Sequence, residues 1–159
     1  MVTQVFDRNI KPTRFMIVAA GSEGKHTLSA FDNCLLKAGI GNVNLIRLSS
    51  ILPPDCSEEE NGIDFPPGAF VPTAFGSTAS EEKGELIAAA VGIGFSEDSF
   101  GVIMEHAGCC SAASAEAKVE EMIREAFVNR NLKLKDIKIK SAEHVVEKAG
   151  AVMAAVALW

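Results

Sequence analysis

The sequence has no tyrosine and one tryptophan, and aromatic residues make up only 6% of its 159 residues. A chain of this length is sufficient for one domain, and its core must be built from Ala, Val, Ile, Leu and a few Phe. Basic runs are also missing, and the formal net charge is -6. This balance argues against nucleic acid and against an anionic membrane surface as partners.

Long apolar runs and a secretion signal are lacking too. The longest apolar stretch, residues 149–159, is too short to cross a bilayer. Residues 1–15, MVTQVFDRNIKPTRF, show no apolar signal region and no cleavage site, which predicts a cytoplasmic protein. The four cysteines form no CxxC pair and the three histidines no metal-binding spacing, so no metal site is predicted.

Short apolar stretches separated by polar or glycine-rich breaks predict more strands than helices. Strands are expected at residues 11–20, 43–49, 99–108, 134–145 and 150–159, with one or two more within 65–80. Residues 80–96 fit a strand at least as well as a helix. The stretch 150–159 is almost wholly apolar, which is typical of a strand buried on both faces.

Two segments have helical periodicity. In residues 27–38, Leu28, Phe31, Leu35 and Ala38 recur at helical spacing, and Gly39 is a suitable stop. Residues 114–129 form the second predicted helix, which Ser114 can cap. Consecutive strands combined with two helices predict an α+β protein, with helices layered on mostly antiparallel sheets.

Two carboxylates lie beside apolar residues. Asp32 is predicted on the edge of the apolar stripe of the first helix, where it either has a local partner or lines a ligand site. Glu105 is predicted to end the strand FGVIME among apolar neighbours. Desolvation there would raise its pKa and suit it to proton transfer, whereas an exposed strand-end glutamate is the simpler alternative.

The stretch IRLSSILPPDC, residues 46–56, places two serines at a strand end before a Pro-Pro pair. No GxSxG motif surrounds them. A serine hydroxyl can also attack the carbonyl of the residue before it, which requires a strained turn, a donor for the oxyanion and no competing water. The side-chain amide of Asn44 is a donor of the right type. From the residues alone, both a plain strand end and a reactive serine pair remain open.

The combination AFDNCLLKAGIGNVNLIRLSSILPP, followed by FGVIMEHAG, resembles the pyruvoyl-dependent arginine decarboxylases of archaea. The resemblance implies an αββα sandwich with the helices on the outer faces. It also implies a single domain, residues 1–159, that cleaves itself between Ser49 and Ser50. The products would be a β chain, residues 1–49, and an α chain, residues 50–159, assembled as a trimer of αβ protomers with sites between neighbours.

The resemblance also implies roles for individual residues. Ser50 would become the pyruvoyl cofactor, with no metal and no pyridoxal phosphate, and Ser49 and Asn44 would take part in processing. Glu105 would donate the proton that replaces CO2. Substrate binding would involve Asp32, Gly41, Val43 and Ser49, with Asp32 pairing with the guanidinium of L-arginine. The product would be agmatine, a precursor of polyamines.

Three alternatives stay open at this point. One concerns Asn44. Six residues of straight strand span about 20 Å, so Asn44 can reach its own Ser50 only if the strand bends sharply. Otherwise it acts on the serine pair of a neighbouring subunit. Another is pyruvoyl chemistry on a different cationic amino acid, such as histidine or ornithine. The last is an unprocessed trimeric binding protein that catalyses nothing.

Overall fold

The computed structural model describes residues 11–159. Most of the N-terminal stretch from which the location was predicted lies outside these residues. The described part has two helices and nine strands. The helices are α1 (Thr27–Lys37) and α2 (Ala112–Asn129). The strands are β1 (Arg14–Glu23), β2 (Asn44–Arg47), β3 (Ile51–Leu52), β4 (Ser57–Glu58), β5 (Phe70–Ser80), β6 (Leu86–Ser96), β7 (Gly101–Gly108), β8 (Leu134–Val145) and β9 (Gly150–Leu158).

These strands form two sheets that pack face to face. Sheet A has the order β2-β5-β9-β1-β4, and sheet B the order β3-β7-β6-β8. Neighbouring strands are antiparallel except in the pairs β1–β4 and β2–β5. α1 packs on sheet A, α2 on sheet B, and each lies on an outer face. The predicted α+β class and the αββα sandwich are confirmed.

β9 is the central strand of sheet A and explains why the C-terminal stretch is so apolar. Val152 and Val156 lie in the core between the sheets, whereas Met153 and Ala155 lie in the core under α1. All of β9 is buried. A strand covered on both faces has no position for a polar side chain, as predicted.

Glycines on β6 allow α2 to lie close to sheet B. A Cβ atom at Gly94 would lie 2.5 Å from Cγ2 of Ile123, and one at Gly92 would lie 2.7 Å from Cγ1 of Val119. Carbon atoms in contact are normally about 3.5–4.0 Å apart. The ambiguous stretch 80–96 therefore contains a strand, β6 (Leu86–Ser96), and its small residues lie under α2.

The predicted start of α1 at Thr27 is confirmed, whereas that of α2 was wrong by two residues. Ser111 caps α2 by accepting a hydrogen bond from the Ser114 amide, so the helix begins before Ser114. His26 is the N-cap of α1, and Ser29 completes a capping box with it. The predicted end of α1 is confirmed: Gly39 follows the C-cap with a φ of 77°, a left-handed conformation that glycine adopts without strain.

None of the helices within residues 11–159 is long and apolar enough to cross a membrane.

Candidate active site

The serine pair lies where the chain passes from one sheet to the other. The amide of Leu48 donates to the Thr73 carbonyl of sheet A at 3.0 Å. Two residues later, the Ser50 carbonyl accepts from the Ile103 amide of sheet B at 2.6 Å. Ser49 is exposed between these anchors, and its carbonyl accepts no backbone hydrogen bond from residues 11–159. β2 ends at Arg47, so the predicted strand through Ser49 is wrong and the pair occupies a crossover.

Glu105 lies on β7, the strand to which Ser50 is anchored. β7 continues to Gly108, so Glu105 is within the strand and does not end it, contrary to the prediction. The alternation along β7 turns Glu105 toward sheet A, on the same side as Ile103 and Ala107. Sheet A makes room for it with Gly76, where a Cβ atom would lie 3.3 Å from Cβ and Cγ of Glu105.

Burial raises the pKa of the Glu105 carboxyl group. Half-buried Glu105 has a raised pKa, chiefly because burial disfavours its charged form, while the charge of Arg47 opposes the rise. The exposed alternative is therefore excluded, and the expected direction of the pKa is confirmed. A carboxyl group of this kind holds its proton to higher pH than an exposed one and is suited to general acid catalysis.

Arg47 is a neighbour of this group that the sequence does not single out. Its Cζ lies 3.9 Å from the centroid of the Phe75 ring, and its Nη1 donates to the Phe75 carbonyl at 2.8 Å. The Phe75 ring in turn packs against Phe31 of α1, with 6.4 Å between centroids. Because β2 and β5 pair in parallel, residues 28 positions apart meet here, and no local pattern reveals such a contact.

Asp32 is exposed on the outer side of α1. It lines a shallow depression with His26, Leu28, Ser29, Phe31 and Leu35. The inward face of the helix carries Ala30 and Cys34, and Leu28 is 76% exposed, so the predicted inward stripe is wrong at that position. Asp32 forms no ion pair with any residue of 11–159. Its carboxylate is thus open to a cationic ligand.

The segment from α1 to β2 carries the remaining predicted residues. Half-buried Gly41 lies so close to α1 that a Cβ atom there would be 2.7 Å from Cδ2 of Leu36. Val43 packs into the core under α1. Asn44 donates its side-chain amide to the Gly68 carbonyl at 3.0 Å, at the end of β2 remote from Ser49. Within the described residues it therefore provides no donor to its own serine pair.

The fold thus anchors Ser50 to the strand that carries Glu105. The Phe75 ring contacts both Arg47, just before the serine pair, and Phe31 of α1, the neighbour of Asp32. A hydroxyl beside an exposed peptide bond and a carboxyl group with a raised pKa are groups of the kind that active sites use. Together with the fold, they favour an α+β sandwich enzyme.

Comparison with known proteins identifies the family. The sequence profile of the pyruvoyl-dependent arginine decarboxylases (PvlArgDC) matches residues 13–159. A pyruvoyl-dependent arginine decarboxylase of Methanocaldococcus jannaschii is 47% identical over 150 residues, which cover 93% of this chain and 90% of that protein. Proteins of the same name are 44% identical in Pyrococcus abyssi and 42% identical in Thermococcus kodakarensis, each over 93% of this chain and 96% of its relative. The chain belongs to the pyruvoyl-dependent arginine decarboxylase family, a family of carbon–carbon lyases.

Proposed function

We propose that this protein decarboxylates L-arginine to agmatine and CO2, a step that supplies polyamine synthesis, with a pyruvoyl group made from Ser50. The observation that carries the proposal is the family match over residues 13–159, in a chain whose serine pair is anchored beside Glu105. The pyruvoyl requirement and the substrate come from the names of the relatives. The residue roles assigned below are those that the resemblance implies, and the geometry is given where it supports them.

Self-processing begins at the crossover between the sheets. Oγ of Ser50 attacks the carbonyl carbon of Ser49, the C–N bond breaks, and the nitrogen of residue 50 takes up the hydroxyl proton, which leaves an ester. Loss of the Cα proton of residue 50 to a base then expels the Ser49 carboxylate and leaves a double bond between Cα and Cβ. Cβ takes up a proton to become a methyl group, and water replaces the nitrogen, which leaves as ammonia. The Ser49 carbonyl is free of backbone hydrogen bonds from residues 11–159, which supports this assignment. Because Ser49 is exposed, a neighbouring subunit would have to exclude water from it.

The site is compatible with a pyruvoyl group at position 50. Processing alters the nitrogen and side chain of residue 50 but retains its carbonyl and the peptide bond to Ile51. The Ile103 amide donates to that carbonyl at 2.6 Å. The contact that anchors residue 50 to β7 therefore uses an atom that processing does not remove.

The chain's own residues then have distinct tasks. A pyruvoyl group, when formed, supplies an electron-withdrawing carbonyl for the amino group of the substrate. Glu105 donates a proton to the substrate carbon that loses CO2, because its raised pKa keeps it protonated to higher pH. Asp32 accepts hydrogen bonds from the guanidinium, whose planar fork of donors matches a carboxylate.

Substrate choice tests this proposal. The wild type should release CO2 from L-arginine faster than from ornithine or histidine, because a guanidinium pairs with a carboxylate through two parallel hydrogen bonds. Asp32→Asn should raise KM for arginine by roughly 10–100-fold, the equivalent of about 1.5–3 kcal/mol for a charged hydrogen bond. Product formation from each amino acid measures this.

Asp64→Asn, an exposed aspartate outside the site, is the matched control for the Asp32 variant and should leave KM unchanged. Release of CO2 from ornithine or histidine in preference to arginine would contradict the proposed substrate. An unchanged KM in Asp32→Asn would contradict the role of Asp32.

We also propose the trimer of αβ protomers, with sites between neighbours. Two surfaces expose large apolar side chains: α1 at Leu28, which is 76% exposed, and a patch on β2 and β5 where Ile46 is 48% and Phe70 is 72% exposed. Different patches that pair between identical subunits form a closed ring when the rotation between subunits closes, as it does in a trimer. Asn44 lies opposite Phe70 in the β2–β5 ladder, at the border of the second patch.

This placement supports the action of Asn44 on the serine pair of a neighbouring subunit. Processing should then depend on assembly. Phe70→Glu, which places a charge in the second patch, should yield monomers in sedimentation analysis and slow cleavage of the chain. Monomers that cleave at the wild-type rate would contradict the neighbour mechanism.

A further inference from the structure

The side chain of Arg47 occupies a backbone acceptor that β2 would need in order to continue. The Leu48 amide donates to the Thr73 carbonyl of β5, and this is the last backbone hydrogen bond between this part of the chain and β5. Alternate residues of a parallel ladder face the partner strand, so the next bond would join the Ser50 amide to the Phe75 carbonyl. Nη1 of Arg47 donates to that carbonyl instead, at 2.8 Å.

A continued β2 would hold the serine pair on sheet A. The Ser50 amide would donate to Phe75, and the Ser50 carbonyl would accept from the amide of Ser77, the next position of β5 on the same edge. Neither bond forms within residues 11–159. The Ser50 carbonyl accepts instead from the Ile103 amide of sheet B at 2.6 Å. The two sheets therefore compete for the backbone of this residue.

Two contacts with one residue hold the guanidinium of Arg47 at this point. Besides the bond to the Phe75 carbonyl, its Cζ lies 3.9 Å from the centroid of the Phe75 ring. Arg47 has no carboxylate within ion-pair distance among residues 11–159 that could draw it away. Stacking and a directional hydrogen bond thus keep the donor on the acceptor that would extend β2. The next residue, Leu48, packs against the core between the sheets.

We propose that Arg47 is a positioning residue for self-cleavage: it ends β2 by taking the Phe75 carbonyl, and thereby leaves the bond between Ser49 and Ser50 outside sheet A. The effect on cleavage rests on the proposed function. Attack by Oγ of Ser50 moves the nitrogen of residue 50 away from the Ser49 carbonyl carbon, and an amide that donates within a ladder must first break its hydrogen bond. The rate is therefore proportional to the fraction of chains that have left sheet A.

The rate of chain cleavage is the first measurement, taken on pulse-labelled protein that is sampled over time by denaturing electrophoresis. Arg47→Met retains a long side chain but has no donor. It should slow cleavage by roughly 10–100-fold, which corresponds to the loss of one hydrogen bond from a charged donor. Arg47→Lys retains a charged donor and should cleave much faster than Arg47→Met.

Lys37→Met is the matched control for the cleavage measurement. Lys37 also donates from an exposed side chain to a strand carbonyl, that of Gly21 at 3.0 Å. Gly21 belongs to β1, which β5 and β9 separate from β2. Removal of this bond should leave the rate of cleavage unchanged.

Amide hydrogen exchange, followed by NMR, tests the ladder itself in the uncleaved Ser50→Ala chain. The amide of residue 50 should exchange rapidly there, because it has no backbone acceptor among residues 11–159. Addition of Arg47→Met lets this amide donate to Phe75. Its exchange should then slow by the same factor of roughly 10–100, because exchange and cleavage both require the chain to leave sheet A. A general loosening of the segment would speed exchange instead.

Phe75→Leu keeps the backbone carbonyl but removes the ring, and it replaces Arg47→Met if that variant fails to fold. It should change both rates in the same direction by a smaller factor. The proposal is overturned if the folded variant cleaves at the wild-type rate, or if the amide of residue 50 exchanges as fast in it as in Ser50→Ala alone. Absence of cleavage in the wild type would overturn the proposed function, whereas the exchange rates would still decide whether Arg47 ends β2.

Discussion

Replacing Glu105 with glutamine should leave chain cleavage intact and remove most of the decarboxylase activity. The amide fills nearly the same half-buried space against Gly76 but cannot donate a carboxylic acid proton. General acid catalysis typically contributes about 10²–10⁴-fold to a rate, so kcat should fall by a factor in this range. Agmatine formation by the processed variant measures it.

Glu97→Gln is the matched control for this variant. Glu97 is exposed and pairs with Lys133 on the surface, where a single ion pair contributes little to stability. Its replacement should change neither cleavage nor turnover. If Glu105→Gln fails to cleave, the carboxyl group acts during processing. If its turnover equals that of the wild type, another group donates the proton.

Replacing Ser50 with alanine should abolish cleavage and, with it, all pyruvoyl-dependent activity. Alanine has no Oγ to attack the Ser49 carbonyl, and the crossover retains the backbone contact between residue 50 and Ile103. The variant should therefore fold and migrate as one uncleaved chain in denaturing electrophoresis. Its circular dichroism spectrum should match that of the unprocessed wild type.

Ser49→Ala distinguishes the roles of the two serines. Its carbonyl, the atom attacked in the proposed step, belongs to the backbone and is retained, so this variant should still cleave. Cleavage of Ser50→Ala would contradict the assignment of the nucleophile. Loss of cleavage in Ser49→Ala alone would transfer that role to Ser49.

The layers of the fold could be predicted from the sequence because burial leaves a strong pattern of apolar residues. A strand covered on both faces must be apolar throughout, which is why residues 150–159 predict the centre of a sheet. The inward face of α1 was harder to predict from the sequence. Leu28 and Phe31 have helical spacing, yet Ala30 and Cys34 are the buried residues, because small side chains allow the helix to lie close to sheet A.

The site could be predicted from the sequence only in part, for a different reason. The alternation of residues 43–49 continues through Ser49, although the hydrogen-bond partner of the chain changes from sheet A to sheet B there. Periodicity records which side a residue faces, but not which strand it pairs with. Arg47 and Phe75 meet through strand pairing, and only the fold reveals their contact.

An intact mass spectrum of the purified protein under denaturing conditions shows whether residue 50 becomes a pyruvoyl group. Two chains that meet at the bond between residues 49 and 50 are expected, and residues 50–159 should lack a free amino group and react with a carbonyl reagent such as phenylhydrazine. A single mass near 16.8 kDa in an active preparation, or a second chain with a free serine at its N-terminus, would contradict the conversion of residue 50.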